Sequence, residues 1–161
     1  MDKIDFQSFI DSYSSDDFEK IKFDWNGKHA NDLKDNNITF RTELIDFIIP
    51  QVGTVNIELV KDLYIESAKF SKEGWGVTKY FNILGQELIL RDYKKYLLSY
   101  LEGASYSMDT HMDSCRIKIP KDLAEEIHNY IIQLSKNEKD ERTLSLLNTI
   151  GLKRFEWLAQ K

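Results

Sequence analysis

Between Tyr100 and Cys115 the chain reads YLEGASYSMDTHMDSC and concentrates Glu102, Asp109, His111, Asp113 and Cys115 in one segment. Two chemistries use such residues. A zinc site needs three or four converging nitrogen, sulfur or oxygen ligands. A general base needs a histidine held by a carboxylate. On a helix, Asp109 and Asp113 share one face, His111 and Cys115 share another, and Glu102, Tyr106 and Asp109 fall on one side. A second pair of ligands is not evident. His29 and His128 stand alone, and Glu125, Glu126 and His128 lack the spacing of a zincin pair. No metal and no cofactor is therefore expected. One enzyme reading remains, in which Glu66, Glu102, Asp109 and His111 meet in a pocket between helices and Glu102 or Asp109 orients His111. Against it stands the lack of any phosphate-binding glycine loop, dinucleotide fingerprint, nucleophile elbow or H-E-x-x-H motif. The chain is expected not to be an enzyme.

The elements that would position these residues are helices. Two prolines and seven glycines leave long stretches with a period near 3.6 unbroken. Ile4, Phe6, Phe9, Ile10 and Tyr13 make a first stripe, and Ser14, Ser15 and Asp16 break it and offer a new N-cap. The stretch from Asn26 to Asn37 is loop-like. Its Asn-Gly pair admits a hairpin, so a small strand pair near residues 21–40, from IKFDW to NITFR, is a second option there. Phe40, Leu44, Phe47 and Ile48 form the next stripe, ended by Pro50 and Gly53. Thr54 is the expected cap of a helix carrying Ile57, Val60, Leu63, Tyr64, Ala68 and Phe70, and Gly74 and Gly76 end it. A helix from Val77 carries Tyr80, Phe81, Leu84, Leu88 and Ile89 to a boundary at Arg91–Asp92.

Residues 93–115 then read as one helix with a buried stripe of Leu97, Leu101, Ala104, Met108, Met112 and Cys115. Gly103 within it predicts close packing, since a helical glycine costs about 1 kcal/mol relative to alanine. On this reading Met108→Asp unfolds the protein. RIKIP is an extended link, Pro120 opens a helix with Leu123, Ile127, Tyr130, Ile131 and Leu134, and Asp140 caps the last one, with Leu144, Leu147, Ile150, Phe155 and Leu158. The expected fold is all-α, a single domain over residues 1–161. Six to eight mostly antiparallel helices are expected, in three α-hairpins at 40–72, 77–113 and 120–159.

Composition narrows the function. Hydrophobic residues make up 42% of the chain, enough for a globular core rather than a disordered segment. The net charge is −5, and residues 1–37 hold nine acids against five bases, so most of the excess lies in this N-terminal subregion. That charge reads first as a solvated, solubilising face; as a functional feature it disfavours nucleic acid and anionic membrane and favours a basic protein partner. Cys115 is the single cysteine, which fits a reducing cytoplasm, and the N-terminus lacks the apolar core of a signal peptide. No apolar run is long enough to span a membrane.

The candidate partner-binding residues combine acids with aromatics: Asp16, Asp17, Glu19 and Asp24 as steering charges, and Trp25, Glu73 and Trp75 as contacts. Trp75, between Gly74 and Gly76, is either a lid over the core or an exposed anchor, and the lid is the favoured reading. Trp157 is expected in the core. In its acidic N-terminal third and its ESAKFSKEGWG and YLEGASYSMDTH segments, the chain resembles the immunity proteins that protect bacteria from polymorphic or contact-dependent toxins. That resemblance implies a cytoplasmic binding module, monomeric or weakly dimeric, that masks a cognate toxin domain of basic, nuclease type. A structural homo-oligomer subunit is the further alternative.

Overall fold

The computed structural model describes residues 5–161. Asp2 and Ile4, counted above in the acidic subregion and the first stripe, lie outside the described residues. The fold is an all-α bundle. Its α-helices are α1 (Phe6–Ser12), α2 (Ile38–Ile48), α3 (Ile57–Glu73), α4 (Phe81–Ser105), α5 (Met108–Ser114), α6 (Lys121–Asn137), α7 (Glu141–Ser145) and α8 (Leu152–Gln160). A π-helical turn, Leu146–Gly151, joins α7 to α8.

The core is organised by one ring. Tyr64 of α3 is fully buried, and a Cβ added at Gly85 or at Gly103 would come within 2.9 Å and 2.3 Å of it. A straight helix would hold those two glycines about 27 Å apart, at 1.5 Å per residue. They meet on one ring because α4 bends sharply at Asp92, where the backbone leaves helical geometry (φ −163°, ψ 75°). Its halves, 81–91 and 93–105, fold back on each other, so that Gly85 also abuts the Tyr100 ring. Asp92 stabilises the bend by accepting from the Lys95 N–H (3.2 Å), as an N-cap does. Arg91 holds it from the other side by donating to the carbonyls of Val52 and Val55. The boundary expected at Arg91–Asp92 is thus real. The Tyr64 ring stacks on Phe81 (4.4 Å between centroids), and its hydroxyl donates to the Tyr100 carbonyl (2.8 Å). At the far end of α3, Lys95 and Tyr96 donate to Glu58, holding its carboxyl down at about 2.

Of the flanking hairpins, the one at 120–159 forms, whereas α2 meets α3 at few points and does not pack along it. Arg41 of α2 lies over the Phe70 ring of α3 (5.9 Å), and α6 packs along α8, with Ile131 against Gly151. Asp17 accepts from the Ser14 N–H at the expected break, and Asp140 caps α7 by accepting from Thr143. The strand pair does not form. NITFR lies at the start of α2, and Trp25 and Asp35 make a single antiparallel bridge. What holds the 21–37 segment is instead a buried ion pair. Arg41 donates to Asp35 and to the carbonyls of Ile21 and Lys22, while Asp35 also accepts from the Asp24 and Asn37 N–H groups. Asn56, not Thr54, caps α3, because Thr54 turns its hydroxyl back to the Gln51 carbonyl.

The segment 93–115 departs most from expectation. Leu97, Leu101 and Ala104 are buried, but the helix stops at Ser105 and a new one starts at Met108. Ser107 and Thr110 form a capping box that satisfies the new N-terminus. The break turns the register, so Thr110, Asp113 and Ser114 face inward and Met108 and Met112 are left 75% and 60% exposed. Cys115 is half-buried. Phe47 is also exposed.

Two outcomes test this packing. Gly103→Ala should destabilise the protein by about 1–3 kcal/mol in chemical denaturation, because a trapped ring cannot yield and overpacking outweighs the helix-propensity gain of about 1 kcal/mol. Met108→Asp, by contrast, should shift stability by no more than about 0.5 kcal/mol, as surface substitutions do.

Candidate functional site

The π turn and α8 bring a charged pair, Lys153 and Arg154, to the side of α5. Arg154 falls at a core position of α8 and is only 5% exposed. Its Nη1 donates to the Tyr100 hydroxyl (3.0 Å) and the Ser114 hydroxyl (2.6 Å), and its Nη2 to the His111 carbonyl (3.1 Å). The same Nη2 lies 3.4 Å from His111 Nδ1. Tyr100 in turn donates to the Ser114 carbonyl, and burial pushes its phenol up to about 12. All these partners are neutral, and among the described residues no carboxylate pairs with Arg154.

Over this network lies an open groove of about 630 Å³, bordered by Met108, His111, Ile150, Lys153, Arg154 and Trp157. A second groove of about 610 Å³ adjoins it, shares Cys115 and Trp157, and is lined by Gly76, Asp109, Met112 and Arg116. Trp157 is 43% exposed and Trp75, next to Gly76, is 83% exposed. Both core readings are therefore corrected. Trp75 is no lid, because Gly76 turns left-handed (φ +88°) and its N–H is tied to Asp109 (3.1 Å), which leaves the indole outside. Trp157 borders both grooves, with Lys161 4.0 Å above its ring.

The four residues of the enzyme reading do not converge. Glu66 is buried against the Phe23 N–H (2.7 Å) and Lys69. Glu102 accepts from Tyr106 (3.0 Å) and lies 3.4 Å from Arg142. Asp109 is lashed to Gly76. Burial and the Glu102 carboxylate raise the Tyr106 phenol, while Glu66 makes its contacts elsewhere, at Phe23 and Lys69. His111 does border a groove, but its neighbour is Arg154 rather than a carboxylate. Burial and the guanidinium both lower its pKa, so the ring is neutral at pH 7. Accepting at Nδ1, it carries its proton on Nε2. Among the described residues no three His, Cys, Asp or Glu side chains converge as metal ligands, and no helix is long and apolar enough to cross a membrane.

The partner-binding candidates divide. Asp17 and Glu19 pair locally with Lys20 and Lys22, Asp24 accepts from Asn36, and Asp16 is exposed. Trp25 is partly covered, stacked beside Phe23 and donating to the Lys28 carbonyl. Its ring meets His29, and His29 meets Glu73 (3.0 Å), so Trp25, Glu73 and Trp75 gather at the C-terminal end of α3. Lys153, Arg154 and the π turn escaped the sequence reading. Their signal is present nonetheless: the run Leu147, Gly151, Arg154, Phe155, Leu158 has buried helical spacing with a cation at its centre.

No family model, curated protein or solved structure matches the chain.

His111 makes stability depend on pH. Its folded pKa lies below its ordinary value of 6.5, so the unfolded chain takes the proton first. Its contribution is complete above that value and declines as the pH falls through it. Urea unfolding at about pH 7.5 and about pH 5.5 should show a smaller loss of stability for His111→Gln than for the native chain.

Proposed function

We propose that the chain is a protein-binding module of the immunity type, which grips a cognate toxin domain and masks it in the reducing cytoplasm. The observation that carries this reading is the apolar display of Trp75, Met108, Met112 and Trp157 around two contiguous grooves. Exposed tryptophans supply anchor area, and methionines adapt to a partner's shape. Clustered apolar side chains of this size on a charged surface mark interaction sites, whereas singly scattered ones do not. The acidic N-terminal subregion supports a basic partner, because its excess charge speeds encounter from a distance even where Asp17 and Glu19 are locally paired. Trp25 and Glu73 extend the contact face at the end of α3.

The test is protection. The product of the gene directly upstream is produced alone and together with this chain. The proposal expects growth arrest by the upstream product alone, rescue by the chain, and a direct complex between the two proteins. Trp75→Ala and Met112→Asp should each weaken the complex about 30-fold, the scale of a ~2 kcal/mol anchor loss, with melting temperature unchanged. An upstream product that neither binds the chain nor is neutralised by it overturns the proposal.

A further inference from the structure

Among the described residues two arginines are buried, and they are built differently. Arg41 faces the buried carboxylate of Asp35. Arg154 is buried less deeply, 5% exposed against 1%, and meets only hydroxyls, a carbonyl and an imidazole, and its Nε–H has no acceptor among the described residues. A buried cation without a counter-charge is costly, because it has given up hydration without gaining an opposite charge. The network of Tyr100, Ser114 and His111 holds the guanidinium in place without neutralising it. Beside it, Lys153 is exposed and, among the described residues, forms no ion pair. No aspartate or glutamate lines this groove, and the rest of its wall is largely apolar, with Ala104, Met108, Ile150 and Trp157. A π turn contributes Thr149 and Ile150 to the wall, and such turns in helices are frequent at functional sites.

We propose that this groove binds a small amphiphilic monocarboxylate, its carboxylate on Arg154 and Lys153 and its apolar body along Met108, Ile150 and Trp157. The volume, about 630 Å³, falls in the range of small-molecule sites. A single charge is indicated because the Nη groups of Arg154 are already committed to Tyr100, Ser114 and His111, which leaves its Nε–H and the Lys153 ammonium to meet the ligand. A phosphate dianion needs more donors than that, and an uncharged lipid leaves the guanidinium unanswered. This site shares Met108 and Trp157 with the face proposed for the toxin domain, but it rests on Arg154 and Lys153, and its test needs no toxin.

Isothermal titration of the full chain tests it, with octanoate, acetate, octan-1-ol and octylammonium as probes. Octanoate should bind one to one. Acetate, lacking the apolar body, and octanol, lacking the charge, should each bind at least about tenfold more weakly, and octylammonium not at all. Arg154→Gln should abolish binding, but Arg154 also ties α8 to α5 and its loss threatens the fold. Lys153→Glu and Thr149→Trp change exposed positions at the groove and keep the test open. The first should weaken octanoate about tenfold and the second should block it, with unchanged melting. The proposal is overturned if octanoate does not bind, if octanol binds as well as octanoate, or if both folded variants bind like the native chain.

Discussion

The bundle depends on one steric constraint, the slot for the Tyr64 ring between Gly85 and Gly103. The two glycines belong to opposite halves of α4, and any Cβ at either would collide with the ring. The bend at Asp92 therefore serves more than chain reversal. It brings two backbones close enough for an aromatic ring to be clamped with Phe81 stacked beside it. The buried hydroxyl would be costly if unpaired, and the Tyr100 carbonyl satisfies it. At the other end of the Tyr100 side chain a second polar network begins, with the Tyr100 hydroxyl on Ser114, Arg154 on both, and His111 at the groove. The geometry of the groove floor is thus inherited from the packing of Tyr64.

What was readable in the sequence follows from this layout. Helical periods located α2, α3, α6 and α8, since each has one face on the core. The break at Ser14, the cap at Asp140 and the boundary at Asp92 could be read because each uses a side chain that satisfies helix-terminal N–H groups, a local signal. Gly103 announced close approach for the reason found. The 93–115 stripe misled because spacings of three and four persisted across a true break. Leu97, Leu101 and Ala104 obey the period of the second half of α4, while Met108 and Met112 obey that of α5, whose axis points elsewhere. The capping box of Ser107 and Thr110 was the competing signal, and Thr110 and Ser114, fully buried, are what the new register turns inward.

The candidate site was less readable, because its central residue contradicts its own surroundings. Arg154 occupies a core position, and a pattern search for apolar periodicity passes over a charge there. Only the three-dimensional arrangement shows that it lacks a carboxylate while Arg41, also buried, has one. The π turn compounds this. Its extra residue per turn shifts α8 relative to α7, and no residue type in LLNTIG marks that shift in advance. Trp75 escaped for another reason. A tryptophan between two glycines is ambiguous until the left-handed turn at Gly76 decides which way the indole points.

The acids of the opening segment find their place as struts. Asp109 receives the Gly76 N–H, Asp113 receives the Asn82 N–H and pairs with Arg116, and the Ser71 and Ser107 hydroxyls lie 3.0 Å apart. Together these contacts lash α5 to the link between α3 and α4, on which Trp75 stands. Carboxylates that accept backbone N–H groups are spent on positioning and are poorly placed to move protons. Their effect falls on the neighbours they immobilise. Met108, Met112 and Trp75 are exposed but rise from backbone held at several points, so ordering the backbone beneath them costs little when something docks. An apolar face on loose segments would lose much of its contact energy to that ordering. The same acids that suggest catalysis in the sequence thus hold the exposed face in place.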